Sequence, residues 1–310
     1  MISPPYLSLR ARLAMLEASG CQSLHFLQCR ILLVFYELGH GIFPAVSVSV
    51  AACARACRAI STGWQFSDAT SQNPDDEEKR RTWWAIHNLE RYIALCCGDA
   101  PLISRDARED YLLPAKEGYR PQTLCPNIYT GACANMSAYE LEPFARECQV
   151  AHLVGRIVQH VFDPISDVNF RDNESVQLER TLVAFLPVLV AEELKDYVYC
   201  GARSMCLSAL LVLYVNRYNH ALAERVVDDG ALQRIASNME AISNHLHKIA
   251  RPEKNQLLMS PMYPYTLFQA IAVQRHWCNG DAASEYLQRS EHLIEALKYL
   301  DRRWQISALT

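Results

Sequence analysis

One short run constrains the fold of this chain more than any other part of its sequence. Residues 74–84 read Pro, four consecutive acids, Lys, two Arg, Thr and two adjacent Trp. Asn73 is a good N-cap, Pro74 suits the first helical position, and the acids face the positive end of a helix. Adjacent residues on a helix point about 100° apart, so Trp83 and Trp84 can both be buried only if neighbours pack on two sides. The run therefore predicts a central helix.

The residues after this run continue the same helix. Glu77 and Arg81 form an acid-before-base pair four residues apart, and Asp76 and Arg80 form a second one. Each pair stabilises a solvated helix by roughly 0.3 kcal/mol. Gly98 supplies the C-terminal stop. Apolar side chains at spacings of three and four predict one apolar face, and hence an amphipathic helix. They are Ala85, Leu89, Tyr92 and Cys96, with Ile86, Ile93 and Cys97 beside them.

The whole chain predicts an all-α fold: a multi-helix array of antiparallel helices packed around the central Trp-Trp helix, with no significant sheet. Its 310 residues are 50% hydrophobic, which is enough to bury a large core, and 11 Gly is low for a sheet-rich enzyme of this size. The other predicted helices are Tyr6 to Ala18, Ser23 to Leu38, Pro44 to Ile60, Tyr139 to Val161, Ser175 to Leu186, Tyr197 to His220, Gly230 to Ala250, Pro264 to His276 and Ala282 to Tyr299.

Proline and glycine mark one internal boundary. Residues 115–135 hold Pro121, Pro126, Gly118 and Gly131, which favour a connector over a regular element. We therefore expect an N-terminal helical part over residues 1–114, a connector over residues 115–135, and a C-terminal helical part of the same domain over residues 136–310.

Charge and motif content argue against several functional classes. The net charge of −4 gives no broad positive surface for nucleic acid, so this segment alone is not expected to bind duplex DNA. No nucleophile elbow, phosphate-binding loop or His-Glu-x-x-His motif occurs. His245 and His247 project to different sides of a helix, and the acids from Asp75 to Glu78 fit a helix start better than a metal site. We identify no catalytic residue and no metal ligand, and we expect no enzyme.

Cysteine usage favours a reducing compartment. The chain has 12 Cys without any Cys-x-x-Cys pair, which argues against a zinc cluster. We interpret most of them as structural free thiols among apolar neighbours, including Cys29, Cys96, Cys97 and Cys206. The longest apolar runs are about 11 residues, short of the roughly 20 that a bilayer-spanning helix needs. We therefore expect neither a membrane anchor nor disulfide bonds.

The central helix and the residues after it resemble the middle homology region of fungal zinc-cluster transcription factors. Helical segments elsewhere follow the order typical of that family, including Leu182 to Leu189 and Leu207 to Tyr218. The resemblance implies a nuclear regulatory domain that restrains or licenses transcription by RNA polymerase II through intramolecular, dimer or effector contacts. The residues that carry it here are Arg80, Arg81, Trp83, Trp84, Glu90, Arg91, Gly98, Pro101 and Ile103.

The family's DNA-binding module has no counterpart in this chain. That module is a set of six cysteines holding two zinc ions, so the resemblance implies no cofactor here and zinc only through an upstream zinc-cluster module. DNA contact would likewise require that absent module. The implied partners are proteins, either other copies of the chain or related transcription factors, together with a small-molecule effector. The alternative is a standalone helical adaptor or dominant-inhibitory scaffold that lacks DNA binding.

Two interpretations stay open for the motif side chains. Arg80, Arg81 and the Glu90-Arg91 pair form either a solvated or salt-bridged helix face, or a contact surface for a regulatory partner segment. Trp83 and Trp84 either pack between helices in the core or form a wall for a small ligand. The sequence alone leaves both pairs of alternatives unresolved.

Overall fold

The computed structural model describes residues 3–61, 64, 74–98, 101–108, 110–115, 141–164, 166–196, 201–223, 260–277, 283–301 and 304. Within these ranges every long regular element is an α-helix and no sheet forms, which confirms the all-α prediction. The helices are α1 Pro4–Ala18, α2 Leu24–Gly39, α3 Ala45–Ile60, α4 Pro74–Cys97, α5 Pro143–Phe162, α6 Val168–Asp196, α7 Ala202–Ala223, α8 Met262–Trp277 and α9 Ala283–Leu300.

Helix α6 is longer than the sequence predicted, so the expected end at Leu186 is wrong. The helix continues through Pro187 to Asp196. Proline removes the hydrogen bond to the carbonyl four residues earlier, but Pro187 and Val183 both lie on the exposed side, where water can satisfy that carbonyl. Leu189, two residues after Pro187, is buried, so burial of its side chain favours continuation of the helix.

Some predicted features lie outside the described residues. They are the N-cap at Asn73, the helix from Gly230 to Ala250, and all of the connector over residues 115–135 except Ala115. The division into two parts around that connector stays a prediction.

Helix α4 is central, and it packs against α2, α3, α5 and α7. From Thr82 to Leu95 every side chain except the half-buried Ala85 is buried. The prediction of an amphipathic helix with one apolar face is therefore wrong for this stretch, because neighbouring helices and the segment that follows α4 cover its polar sides as well. Cys97, expected on the apolar face, is exposed.

One large hydrophobic core holds the helices together, running from Leu27 in α2 to Leu300 in α9. A smaller cluster joins α1 to α2, and its buried members are Tyr6, Leu13, Phe26 and Leu33. Helix α2 begins at an N-cap in which the Ser23 hydroxyl accepts a hydrogen bond from the Phe26 N–H at 3.2 Å. None of the described helices is long and apolar enough to cross a membrane.

Candidate functional site

The segment that follows α4, described over residues 101–108 and 110–115, runs back alongside this helix; we call it the return segment. Its order of contacts is the reverse of the order along α4. Glu90 and Arg91 near the end of the helix hold residues 103–106, Trp84 holds Leu112, and Arg81 holds Ala115. The motif side chains on α4 therefore act together, because they attach one stretch of chain along most of the helix.

Glu90 binds the beginning of the return segment. Its carboxylate accepts hydrogen bonds from the N–H of Ile103 at 2.6 Å and from the N–H of Ser104 at 3.0 Å, and it also accepts one from the Ser104 hydroxyl. The Glu90 side chain is buried. A buried carboxylate must be hydrogen-bonded to be tolerated, and here two successive backbone N–H groups satisfy it.

Arg91 lies beneath the same segment with none of its side chain exposed. Its guanidinium donates to the Ser104 hydroxyl at 2.8 Å, to the Asp106 carboxylate at 2.7 Å and to the Arg105 carbonyl at 3.3 Å. Gly155 of α5 makes room for it, since a Cβ at this glycine would lie 2.8 Å from the Arg91 Nε. The arginine is therefore enclosed between the return segment and α5.

The two tryptophans occupy different environments. Trp84 is fully buried, and its indole N–H donates to the Leu112 carbonyl at 2.9 Å. Its ring meets Trp83 edge-to-face at 5.0 Å between ring centroids. Trp83 is 9% exposed, and it also contacts Tyr111 of the return segment with the ring centroids 5.5 Å apart. Trp84 thus belongs to the core, whereas Trp83 lies at the edge of it.

Glu77 organises the other end of α4. Its carboxylate binds Arg80, accepts from Arg81 Nε at 2.9 Å, and accepts from the Ala115 N–H at 3.0 Å. Arg81 reaches further, donating to the Ala115 carbonyl at 2.8 Å and to Glu142 at 2.6 Å. The pair predicted between Glu77 and Arg81 forms, and it also joins the end of the return segment to the residue that precedes α5.

The remaining motif residues shape the turn into the return segment. Gly98 has φ +66°, a left-handed conformation that favours glycine, and it ends α4 as predicted. Pro101 is exposed and Ile103 is half-buried, and both line a small cleft against α3 and α4. Ile103 itself supplies one of the two backbone N–H groups that Glu90 binds.

A larger cavity of about 350 Å³ lies between α3, α4 and the return segment. Its walls include three aromatic rings, Trp64, Trp83 and Tyr111, and the imidazole of His87. Two arginines, Arg58 of α3 and Arg105 of the return segment, also line it, and both are exposed. Trp83 thus forms part of a cavity wall as well as packing against Trp84. This volume falls within the range of small-molecule sites, roughly 300–1,000 Å³.

Two histidines near Arg91 are held neutral. Burial lowers the pKa of His87 well below its usual value, and the charges of Arg91 and His152 lower it further. The Asn88 amide opposes only part of this shift, and it lies outside hydrogen-bond geometry. Neither ring nitrogen of His87 has a hydrogen-bond partner among the described residues. Burial and Arg91 likewise lower the pKa of His152 to about 4.

A second buried cluster links α4, α5 and the start of α7. The Glu147 carboxylate accepts from the Gly201 N–H at 3.0 Å and from the Asn88 amide at 3.4 Å. Burial raises the pKa of Glu147, and both hydrogen bonds oppose that shift. A Cβ at Gly201 would lie 2.3 Å from the Met262 sulfur, so only glycine fits at this position.

Sequence reasoning missed several side chains that build the site. Ser104, Asp106 and Tyr111 lie in a segment without periodicity, and nothing in their spacing indicated that α4 would bind them. Gly155 and Glu147 did carry a signal, because a glycine and a charged residue interrupt the apolar face of α5. Both positions proved to be buried contacts with α4.

Arg80, Glu90 and Arg91 are all buried and ion-paired, so of the two expected forms of this helix face, solvated or salt-bridged, the structure has the salt-bridged one at these three residues. The described cysteines differ from one another in exposure. Cys206 is buried, but Cys29 and Cys97 are exposed, contrary to expectation. The eight cysteines that the structure describes are all free thiols, and no group of described residues could hold a metal ion.

Comparison with known protein families gives a match over the N-terminal part of the chain. A family model described as the fungal specific transcription factor domain matches residues 5–179, more than half of the chain. No curated protein and no solved structure matches. The match includes α4, the return segment and α5, and it ends within α6.

Proposed function

Because the chain belongs to the fungal-specific transcription factor domain family, we propose that it restrains transcription by RNA polymerase II in the nucleus through contacts with other proteins. The family is one of transcription factors and not of enzymes, and the chain is a regulatory domain of that class. The observation that carries the proposal is the match over residues 5–179, which includes every motif side chain that binds the return segment.

The charge distribution supports action through proteins rather than through DNA. The chain has a net charge of −4, and the arginines of α4 are engaged inside the molecule, Arg80 and Arg81 with Glu77, and Arg91 with Asp106. Guanidinium groups paired in this way are not available to neutralise phosphates. We infer that the partners are other copies of this chain or related transcription factors.

The return segment suggests how restraint is built. It is bound to α4 by short hydrogen bonds at both ends, so the surface that α3, α4 and this segment form has a fixed shape. A fixed surface favours binding of a partner segment, because the surface itself loses little conformational entropy when that segment binds.

A tethering experiment tests this function. The chain is placed between a heterologous DNA-binding domain and a strong activation domain, and reporter transcription is measured in a fungal host. We expect lower reporter expression than from a fusion that carries an inert helical spacer of similar length. Arg91→Ala, which removes the buried hydrogen bonds to residues 104–106 of the return segment, should relieve the restraint, whereas Arg81→Ala at the half-exposed end should keep it.

Protein abundance and nuclear location are measured for each fusion, so that loss of protein is not mistaken for regulation. Equal reporter expression from the intact chain and the spacer, at matched nuclear abundance, would refute restraint by this domain.

A further inference from the structure

We propose that the cavity between α3, α4 and the return segment binds a small aromatic carboxylate that also carries a second polar group. The site is defined by Arg58, Trp64, Trp83, His87, Arg105 and Tyr111. Only the regulatory consequence of this binding rests on the function proposed above. The binding itself is a property of the cavity.

The shape and walls favour a flat apolar body. The cavity measures about 350 Å³, and the rings of Trp83 and Tyr111 meet at an interplanar angle of 74°, which forms an aromatic corner. Trp64 lines the same space. Aromatic rings prefer edge-to-face or offset contacts with other rings, so a planar aromatic ligand gains more here than a branched aliphatic one of equal size.

The charge at the cavity favours an anion. Arg58 and Arg105 are exposed side chains on two different elements, and neither has an ion-pair partner among the described residues. The described lining includes no acidic residue. The nearby carboxylates of Glu90 and Asp106 are already bound by Ser104 and Arg91. A ligand carboxylate between the two guanidinium groups would receive charge-assisted hydrogen bonds from both sides.

His87 supplies the reason for a second polar group. His87 lines the cavity, its side chain is fully buried against Trp83 and Trp84, and both ring nitrogens lack a hydrogen-bond partner among the described residues. Leaving such buried polar atoms unsatisfied is costly, so a polar ligand group that reaches them gains what the empty site lacks. The imidazole can donate through one nitrogen and accept through the other, which matches a phenolic hydroxyl.

The direct test is binding of para-hydroxybenzoate to the full chain, measured by calorimetry and by tryptophan fluorescence. Benzoate lacks the hydroxyl, and para-hydroxybenzamide lacks the charge, so these two compounds separate the contributions. We expect para-hydroxybenzoate to bind more tightly than either, and its binding to change the fluorescence because Trp64 and Trp83 form the walls.

Three variants assign the contacts. Arg58→Gln combined with Arg105→Gln should weaken para-hydroxybenzoate binding by about tenfold or more and remove the preference over the benzamide. Arg55→Gln is the matched control, because Arg55 is an exposed arginine of the same helix that does not line the cavity. His87→Phe should abolish the preference for para-hydroxybenzoate over benzoate, a ratio that a general loss of stability would not change selectively.

Two results would overturn the proposal: no binding of para-hydroxybenzoate or benzoate to the folded chain, or equal binding to the double arginine variant and the Arg55→Gln control. Failure of this binding proposal can be told apart from failure of the proposed function. Binding without any effect on the tethered reporter would refute the regulatory role and leave the site intact, whereas a restrained reporter without binding would refute only the site.

Discussion

Helix α4 carries two acid-arginine clusters that bind opposite ends of the same return segment, and they differ in exposure. At the end of the helix, Arg91 has none of its side chain exposed, and Glu90 has 6%. At the beginning, Arg81 is 39% exposed and its partner Glu77 26%. The two clusters use the same chemistry, so burial is what separates their expected contributions.

Arg91 and Glu90 themselves have no alternative partner in water, although Asp106, the carboxylate that Arg91 also binds, is 45% exposed. A guanidinium transferred from water into the core loses several kcal/mol of solvation. Its hydrogen bonds to Ser104, Asp106 and the carbonyls of His87 and Arg105, together with the charge of Glu90, offset that loss. The half-exposed cluster can exchange protein contacts for water at little cost. We therefore expect Glu90 and Arg91 to determine where the return segment lies, while Glu77 and Arg81 add to its attachment.

The largest effect should come from Arg91→Ala. Removing the buried guanidinium leaves the buried Glu90 carboxylate without its counter-charge, takes one donor away from Asp106 and from the Ser104 hydroxyl, and opens a cavity beside Gly155. We expect a loss of about 3–5 kcal/mol in the free energy of unfolding, measured by urea denaturation. Arg91→Lys should recover only part of it, because an ammonium group cannot reproduce the fork of the guanidinium. A loss below about 1 kcal/mol would show that the two clusters are equivalent.

Gly155→Ala probes the same burial from the side of α5. The new Cβ would lie 2.8 Å from Arg91 Nε, and the guanidinium cannot move away without breaking its bonds. We expect a destabilisation of about 1–3 kcal/mol, again from urea unfolding.

The matched control for this substitution is the same change in an Arg91→Ala background. There the clash is gone, and alanine has the higher helix propensity, so the substitution should become neutral or stabilising by up to about 1 kcal/mol. If the cost of Gly155→Ala were equal in both backgrounds, contact with Arg91 would not be its cause.

The pH dependence of stability should also report the buried cluster. Unfolded histidine titrates near pH 6.5, whereas burial and then Arg91 lower the pKa of His152 to about 4 in the folded protein. As the pH falls below about 6.5, the unfolded chain therefore binds protons that the folded chain does not, and stability falls until about pH 4. His87 shifts in the same direction.

For His152 alone we expect a loss of about 2 kcal/mol between pH 7 and pH 5, measured from urea midpoints at the two pH values. His152→Gln removes this titration, so the difference between the two pH values should shrink in that variant. An unchanged difference would show that His152 is not buried beside Arg91. Burial raises the pKa of Asp106, but Arg91 lowers it by more, so this pKa lies below its usual value of 3.8. Asp106 therefore adds a loss of stability only when the pH falls below that value.

The contrast between the clusters also shows what the sequence can reveal. The pair between Glu77 and Arg81 is local, four residues apart on one helix, and helical periodicity alone predicted it. Glu90 binds residues 13 and 14 positions away, across a turn whose geometry no periodicity encodes. The burial of Arg91 depends on Gly155, which lies on another helix. Two adjacent tryptophans did predict that α4 is central, but they left open whether either ring would line a cavity, and the structure shows that Trp83 does.

The smallest effect should come from Arg81→Ala, which completes the comparison. Arg81 makes three hydrogen bonds, to Glu77, Ala115 and Glu142, against four for Arg91, so counting bonds would predict losses of similar size. Burial predicts otherwise, because an exposed ion pair contributes about 0–1 kcal/mol and water can replace the missing donor. We expect a loss within that range by urea unfolding, and a further decrease of the effect in high salt, where exposed charges are screened. If Arg81→Ala instead matched Arg91→Ala in magnitude and kept its effect in salt, the attachment at Ala115 would be as decisive as the one at Ser104, and the return segment would be fixed equally from both ends.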